Sequence, residues 1–94
     1  MNYPIRLSTK KTKKYDIYYN NHWISFGQKG YEHYKTSHFI PQNIRHEYRE
    51  HLDQKRRELY IKRASKIKDS KGHLTYMNQS SPNYYAYHFL WGLN

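Results

Sequence analysis

The chain has 94 residues, with 17 Lys and Arg against 7 Asp and Glu, and no cysteine. That length holds a single domain. The missing cysteines exclude a disulfide framework and a thiolate zinc site, and no run approaches the roughly 18 apolar residues of a membrane span. Aromatic residues reach 18%, including 12 Tyr, so the expected core is built from rings rather than aliphatic side chains. A net charge of +10 favours a polyanionic partner.

Residues 1–13 read as a basic arm. Arg6, Lys10, Lys11 and Lys13 face no acid there, and the charge continues into Lys14. Nothing in the arm is periodic, so it is expected to be flexible alone and to order on a partner. The remainder, 14–94, reads as a small α+β domain. The opening MNYPIRLSTKK lacks the apolar run of a secretory signal, so the protein is expected not to be secreted.

KYDIYYNNHWISFG, at 14–27, predicts a β-hairpin about Asn20-Asn21, because Asn tolerates the positive φ of a two-residue turn. Folding about that turn opposes Tyr19 to His22, Tyr18 to Trp23, Ile17 to Ile24, Asp16 to Ser25 and Tyr15 to Phe26. One face then carries Tyr15, Ile17, Tyr19, Ile24 and Phe26. Such a hairpin is marginal in water and needs helices over its apolar face. Gly27 and Gly30 are read as turn glycines at its exit.

GYEHY, at 30–34, is expected to be a short helical turn, and KTSHFIPQN, at 35–43, a connection broken by Pro41. Ile44, Tyr48 and Leu52 fall at i, i+4, i+8. A second stripe runs through Leu59, Ile61, Ala64 and Ile67. Asp53 is placed to cap a helix over 54–68, so two helices with a bend near Leu52-Asp53 are preferred to one long helix over 44–68. Residues 69–79 read as a loop. In SSPNYYAYHFLWGLN, Ser81 caps, Pro82 suits the first position and Gly92 ends the helix. Its wide aromatic arc predicts a lid over the hairpin; stacking of its rings on bases is the lesser reading. The predicted fold is therefore a β-hairpin packed on two or three helices. Its predicted core is Tyr15, Ile17, Ile24, Phe26, Leu59, Phe89, Leu90 and Trp91.

No catalytic, cofactor or metal motif emerges. The seven histidines are scattered, His33/His38 and His46/His51 are five apart rather than four, and no paired carboxylates suit acid–base work. No small-molecule substrate is evident, and the chain reads as non-enzymatic. The informative stretch is DQKRRELYIKRASKIK, at 53–68. Lys55, Arg56, Arg57, Lys62, Arg63 and Lys66 there, with Lys10, Lys11, Lys13 and Lys14 of the arm, are the candidate contacts to nucleic-acid phosphates. A solvated helix face is the competing reading, weakened by the shortage of compensating acids.

Four blocks, KKYDIYYNNHWISFG, GYEHY, LDQKRRELYIKR and SPNYYAYHFLWG, resemble an uncharacterised family of small basic proteins encoded by large DNA viruses of eukaryotes and some phages. The resemblance covers about two-thirds of the chain in order. It departs at Ala64, where the family carries a histidine, and at 35–50, which looks like an insertion. It implies a viral, non-enzymatic protein of the virion or infected host cell. That protein would bind the genome or, alternatively, act as a minor capsid or cement protein on acidic surfaces of viral structural proteins.

Overall fold

Asn20 and Asn21 take φ of 53° and 67°, the paired left-handed conformation of a tight hairpin turn. In this computed structural model, which describes residues 4–92, the turn joins β2 (Lys13–Tyr19) to β3 (His22–Gln28). The register runs Tyr15↔Phe26, Asp16↔Ser25, Ile17↔Ile24, Tyr18↔Trp23 and Tyr19↔His22, as the sequence predicts. Cross-strand matching of Ile with Ile and Tyr with Phe holds that register, since a one-residue slip would turn the apolar set to solvent.

The basic arm departs from expectation. Ile5–Leu7 forms β1, antiparallel to β2, giving a three-stranded sheet of order β1-β2-β3. Arg6 sits opposite Asp16 and donates from Nε to Oδ2 at 3.1 Å. Its guanidinium also lies 3.8 Å from the centre of the Trp23 ring. Asp16 is 2% exposed and accepts from Ser25 Oγ at 2.6 Å. Burial alone would raise its pKa; hydrogen bonds from Ser25, Ser8, Arg6 and the Thr9 backbone hold it below the usual carboxylate range. The arm thus orders on a buried carboxylate of its own domain. Its residues 1–3 lie outside the described residues.

The core gathers Tyr15, Ile17, Ile24 and Phe26 of the sheet with Ile40, Tyr85, Phe89 and Leu90. Tyr85, Phe89 and Leu90 come from the lid. Ser81 caps α3 (Pro82–Tyr85) by accepting from the Asn83 N–H, Pro82 occupies its first turn, and the chain continues as a π turn over Ala86–Leu90. The wider π turn buries neighbouring Phe89 and Leu90 together. Their carbonyls accept from Ser37 N and Lys35 N at 2.8 and 3.0 Å, so the helix end finds partners in the preceding connection. Gly92, expected to end the helix, lies beyond the π turn, where an added Cβ would meet the His88 carbonyl oxygen at 2.6 Å.

The middle of the chain is less helical than its spacing suggests. α1 is confined to Gln42–Arg45, and α2 runs Gln54–Ala64. Between them His51 N and Leu52 N donate to the carbonyls of His33 and Tyr34, and Leu52 adopts φ 54°. Ile44 and Tyr48 pack on the core as the spacing implies, but Leu52 points to solvent. These cross-chain hydrogen bonds replace the expected helical ones. GYEHY is likewise no helical turn, since His33 pairs in parallel with Glu50. Asp53 caps α2 as predicted, accepting from Lys55 N and Arg56 N. The helix stops at Ala64 rather than at 68, because Lys68 pairs with Leu74. The 69–79 loop holds a 3₁₀ turn at Thr75–Met77.

Two core assignments are corrected. Leu59 is 54% exposed, and Trp91 is half-buried at the core's edge. Ile40 and Ser37, within the segment read as an insertion, are fully buried instead.

Candidate nucleic-acid interface

α2 carries two working faces. Arg57 and Ala64 turn inward: Ala64 is buried, and Arg57 Nε donates to the Trp91 carbonyl at 2.8 Å. Arg56, Leu59, Tyr60 and Arg63 fall at i, i+3, i+4 and i+7 and share the other face. That second face forms one wall of a cleft of about 740 Å³. The end of the β2–β3 hairpin and the 31–33 loop form the opposite wall, and the lid closes the back with Leu90 and Trp91.

The cleft is basic at its rim and apolar within. Lys13, Arg56, Lys62 and Arg63 line it, with Glu32 the acidic member among the described lining residues. Glu32 Oε1 lies 3.3 Å from Arg56 Nη1, and Oε2 lies 3.7 Å from Arg49 Nε. Those are surface pairs, worth roughly 0–1 kcal/mol each. Tyr60 stacks on Trp91 at a centroid distance of 4.1 Å and an interplanar angle of 8°. Burial pushes the Tyr60 phenol up to about 12, so it stays neutral. Tyr31, 72% exposed, and Leu59 leave apolar surface uncovered within reach of the basic rim.

Lys14 forms the floor. It is 2% exposed, and its Nζ donates to the Tyr31 carbonyl at 2.6 Å and to His33 Nδ1 at 2.8 Å. Burial lowers its pKa to about 8, with Glu32 pulling the other way. Because Nδ1 accepts, His33 carries its proton on Nε2, which donates to Thr36 Oγ1 at 2.6 Å. Burial and the Lys14 charge drive the His33 pKa down to about 3. Thr36 N in turn donates to Glu50 Oε2 at 2.6 Å. This buried chain fixes the loop that presents Tyr31.

The ten predicted contact residues therefore separate. Lys13, Arg56, Lys62 and Arg63 converge on the cleft. Lys10, Lys11, Lys55 and Lys66 are exposed but do not line it. Lys14 and Arg57 are corrected: each is held by carbonyl oxygens of the fold, so neither is a free surface charge. Sequence reasoning missed Tyr31, Leu59, Tyr60 and Trp91 as cleft residues. The i, i+3, i+4, i+7 spacing of Arg56, Leu59, Tyr60 and Arg63 was the available signal, masked by reading Leu59 as core. His51 Nδ1 accepts from Asp53 N at 2.9 Å, steadying the start of α2, while its buried Nε2 finds no partner among the described residues.

No three His, Asp or Glu side chains gather around a possible metal position among the described residues. No described helix is long and apolar enough to cross a membrane. No curated protein and no solved structure matches the chain. Residues 3–38 match the profile of a family of unknown function, DUF5754. The match spans the sheet and the 31–33 loop, hence Lys13, Lys14, Tyr31, Glu32 and His33 of the cleft, but not α2. Over its sheet and the segment that follows, the chain is therefore similar to this uncharacterised family.

Proposed function

We propose that this protein binds nucleic acid through its phosphates and catalyses no reaction on it. The observation that carries the reading is convergence. Lys13 of β2 and Arg56, Lys62 and Arg63 of α2 are distant in sequence, yet they meet around one cleft. Arginine offers a planar fork to phosphate oxygens, and lysine a mobile point charge. The exposed Lys10, Lys11, Lys55 and Lys66 extend the positive field beyond the cleft and raise encounter rates. No base-reading helix or ribbon motif is present in the sequence, so contact to the backbone should dominate over sequence readout.

The four-block resemblance supports a viral source, which would make a viral genome the nucleic acid and the virion or infected cell the place of action. The test is binding of random-sequence duplex DNA across salt. Releasing counterions lowers log affinity by roughly 0.9 per phosphate for each tenfold rise in salt, so about four phosphates give a slope near −3.5. Binding without salt dependence, or no binding at about 50 mM salt, overturns the reading.

A further inference from the structure

The basic rim explains phosphate binding, but not why the cleft it surrounds is hollow and apolar. A helix face meant only for duplex phosphates needs no recess. Here Leu59 is 54% exposed between Arg56 and Arg63, and Tyr31 is 72% exposed on the facing loop. Exposed apolar surface set beside cations in a recess of about 740 Å³ is the composition of a ligand pocket rather than of a solvated face. The loop carrying Tyr31 is held from beneath by the 2.6 Å hydrogen bond from Lys14 to its carbonyl, so the ring stands on a fixed support.

We propose that the cleft receives an unpaired nucleotide of a nucleic-acid strand, its base packed against Tyr31 and Leu59 and its phosphates on Lys13, Lys62 and Arg63. This rests on the nucleic-acid reading above and adds the strand state. A duplex keeps its bases stacked inside and turns charge outward, so it would set phosphates against Leu59 and Tyr31. An unpaired nucleotide supplies a π-face and flanking phosphates together. Glu32 directs the pose. Its carboxylate reaches across the cleft to Arg56 and repels phosphate at that end. Lys13, Lys62 and Arg63 carry no acidic partner among the described residues.

The test compares the full chain binding a fluorescent 12-nucleotide single strand and the same sequence as a duplex, by anisotropy at low salt. The single strand should bind at least about tenfold more tightly, as one or two base–aromatic contacts allow. Tyr31→Ala combined with Leu59→Gln should remove that preference. Both side chains are largely exposed, so the variant should fold, and its melting curve checks this. A second readout avoids substituting the cleft. The chain has two tryptophans, so Trp23→Phe leaves Trp91 as the lone indole reporter. Single strand should quench it more than duplex does. Equal affinities with a retained salt slope, or no difference in Trp91 quenching, overturn the unpaired-nucleotide proposal while the phosphate reading stands. Loss of all binding overturns both.

Discussion

Lys14 Nζ lies 2.8 Å from His33 Nδ1 in the interior, so an ammonium and an imidazole share one buried site. The imidazole must stay neutral for Nδ1 to accept. With a folded pKa of about 3 against the ordinary 6.5, His33 binds a proton in the unfolded chain but not in the native one across that window. Stability on this account falls as pH drops from 6.5 toward 3. His33→Gln lacks the titration. It should be less stable than wild type at pH 7 by roughly 1–3 kcal/mol through lost hydrogen bonds. The gap should then narrow by about 2 kcal/mol between pH 6.5 and 4.5. Chemical denaturation at both pH values checks this; a constant gap contradicts it.

The partner titrates on the alkaline side. The Lys14 pKa is lowered to about 8, so between pH 8 and 10.5 the unfolded chain holds a proton that the native chain has shed. The Lys14 contribution to native stability therefore rises with pH through that window. Lys14→Met should lose this rise while costing stability at neutral pH, because the Tyr31 carbonyl and His33 Nδ1 lose their donor. Denaturation of both proteins at pH 7 and 9 should show the wild-type advantage growing. A fixed difference would contradict it.

Arg56 and Arg57 are adjacent and should behave oppositely. Arg57 donates to the Trp91 carbonyl at 2.8 Å and lies 5.5 Å from the Tyr34 ring centre. Arg57→Gln should cost about 1–2 kcal/mol of stability. Arg56 is exposed, with Glu32 as its surface partner, so Arg56→Gln should change stability by less than about 1 kcal/mol. It should flatten the salt slope on duplex DNA by less than about one unit, because Glu32 already offsets part of its charge. Thermal melts paired with salt titrations separate the two; similar behaviour would refute the assignment of inward and outward faces to α2.

Gly27 holds φ +80°, and a Cβ there would sit 2.8 Å from Leu90 Cδ1 and 3.2 Å from Lys14 Cβ. Gly27→Ala thus combines left-handed strain with a clash where the lid meets the hairpin end, and should cost about 1–3 kcal/mol. Gly30, at φ +90° with open space around it, should lose only the conformational part on Gly30→Ala. Urea midpoints for the two variants check the ordering.

The hairpin was legible because its determinants are local: two asparagines for the turn, and alternation that scores only one register. The lid was legible for the same reason, with Ser81, Pro82 and a wide aromatic arc inside fifteen residues. The third strand was hidden, since Ile5–Leu7 has no pattern of its own and is specified by the distant Asp16. The 35–52 segment misled because Ile44 and Tyr48 satisfy helical spacing while their neighbours bond to His33 and Tyr34. For the site, charge identified α2, but charge alone cannot distinguish Arg56 from Arg57. That distinction depends on where the Trp91 carbonyl lies, which only the fold determines.

On the proposed function, nucleic acid enters between α2 and the 31–33 loop. The chain's two tryptophans fall on different sides of it: Trp91 lines the cleft, and Trp23 lies under Arg6 on the sheet. Nitrogen-15 labelling gives each indole N–H its own signal, assignable with Trp23→Phe. On titration with an oligonucleotide at low salt, the Trp91 indole should shift, together with the amides of Tyr31, Leu59 and Arg63, while the Trp23 indole stays in place. Shifts centred on Trp23 and Arg6, with Trp91 unmoved, would contradict the account.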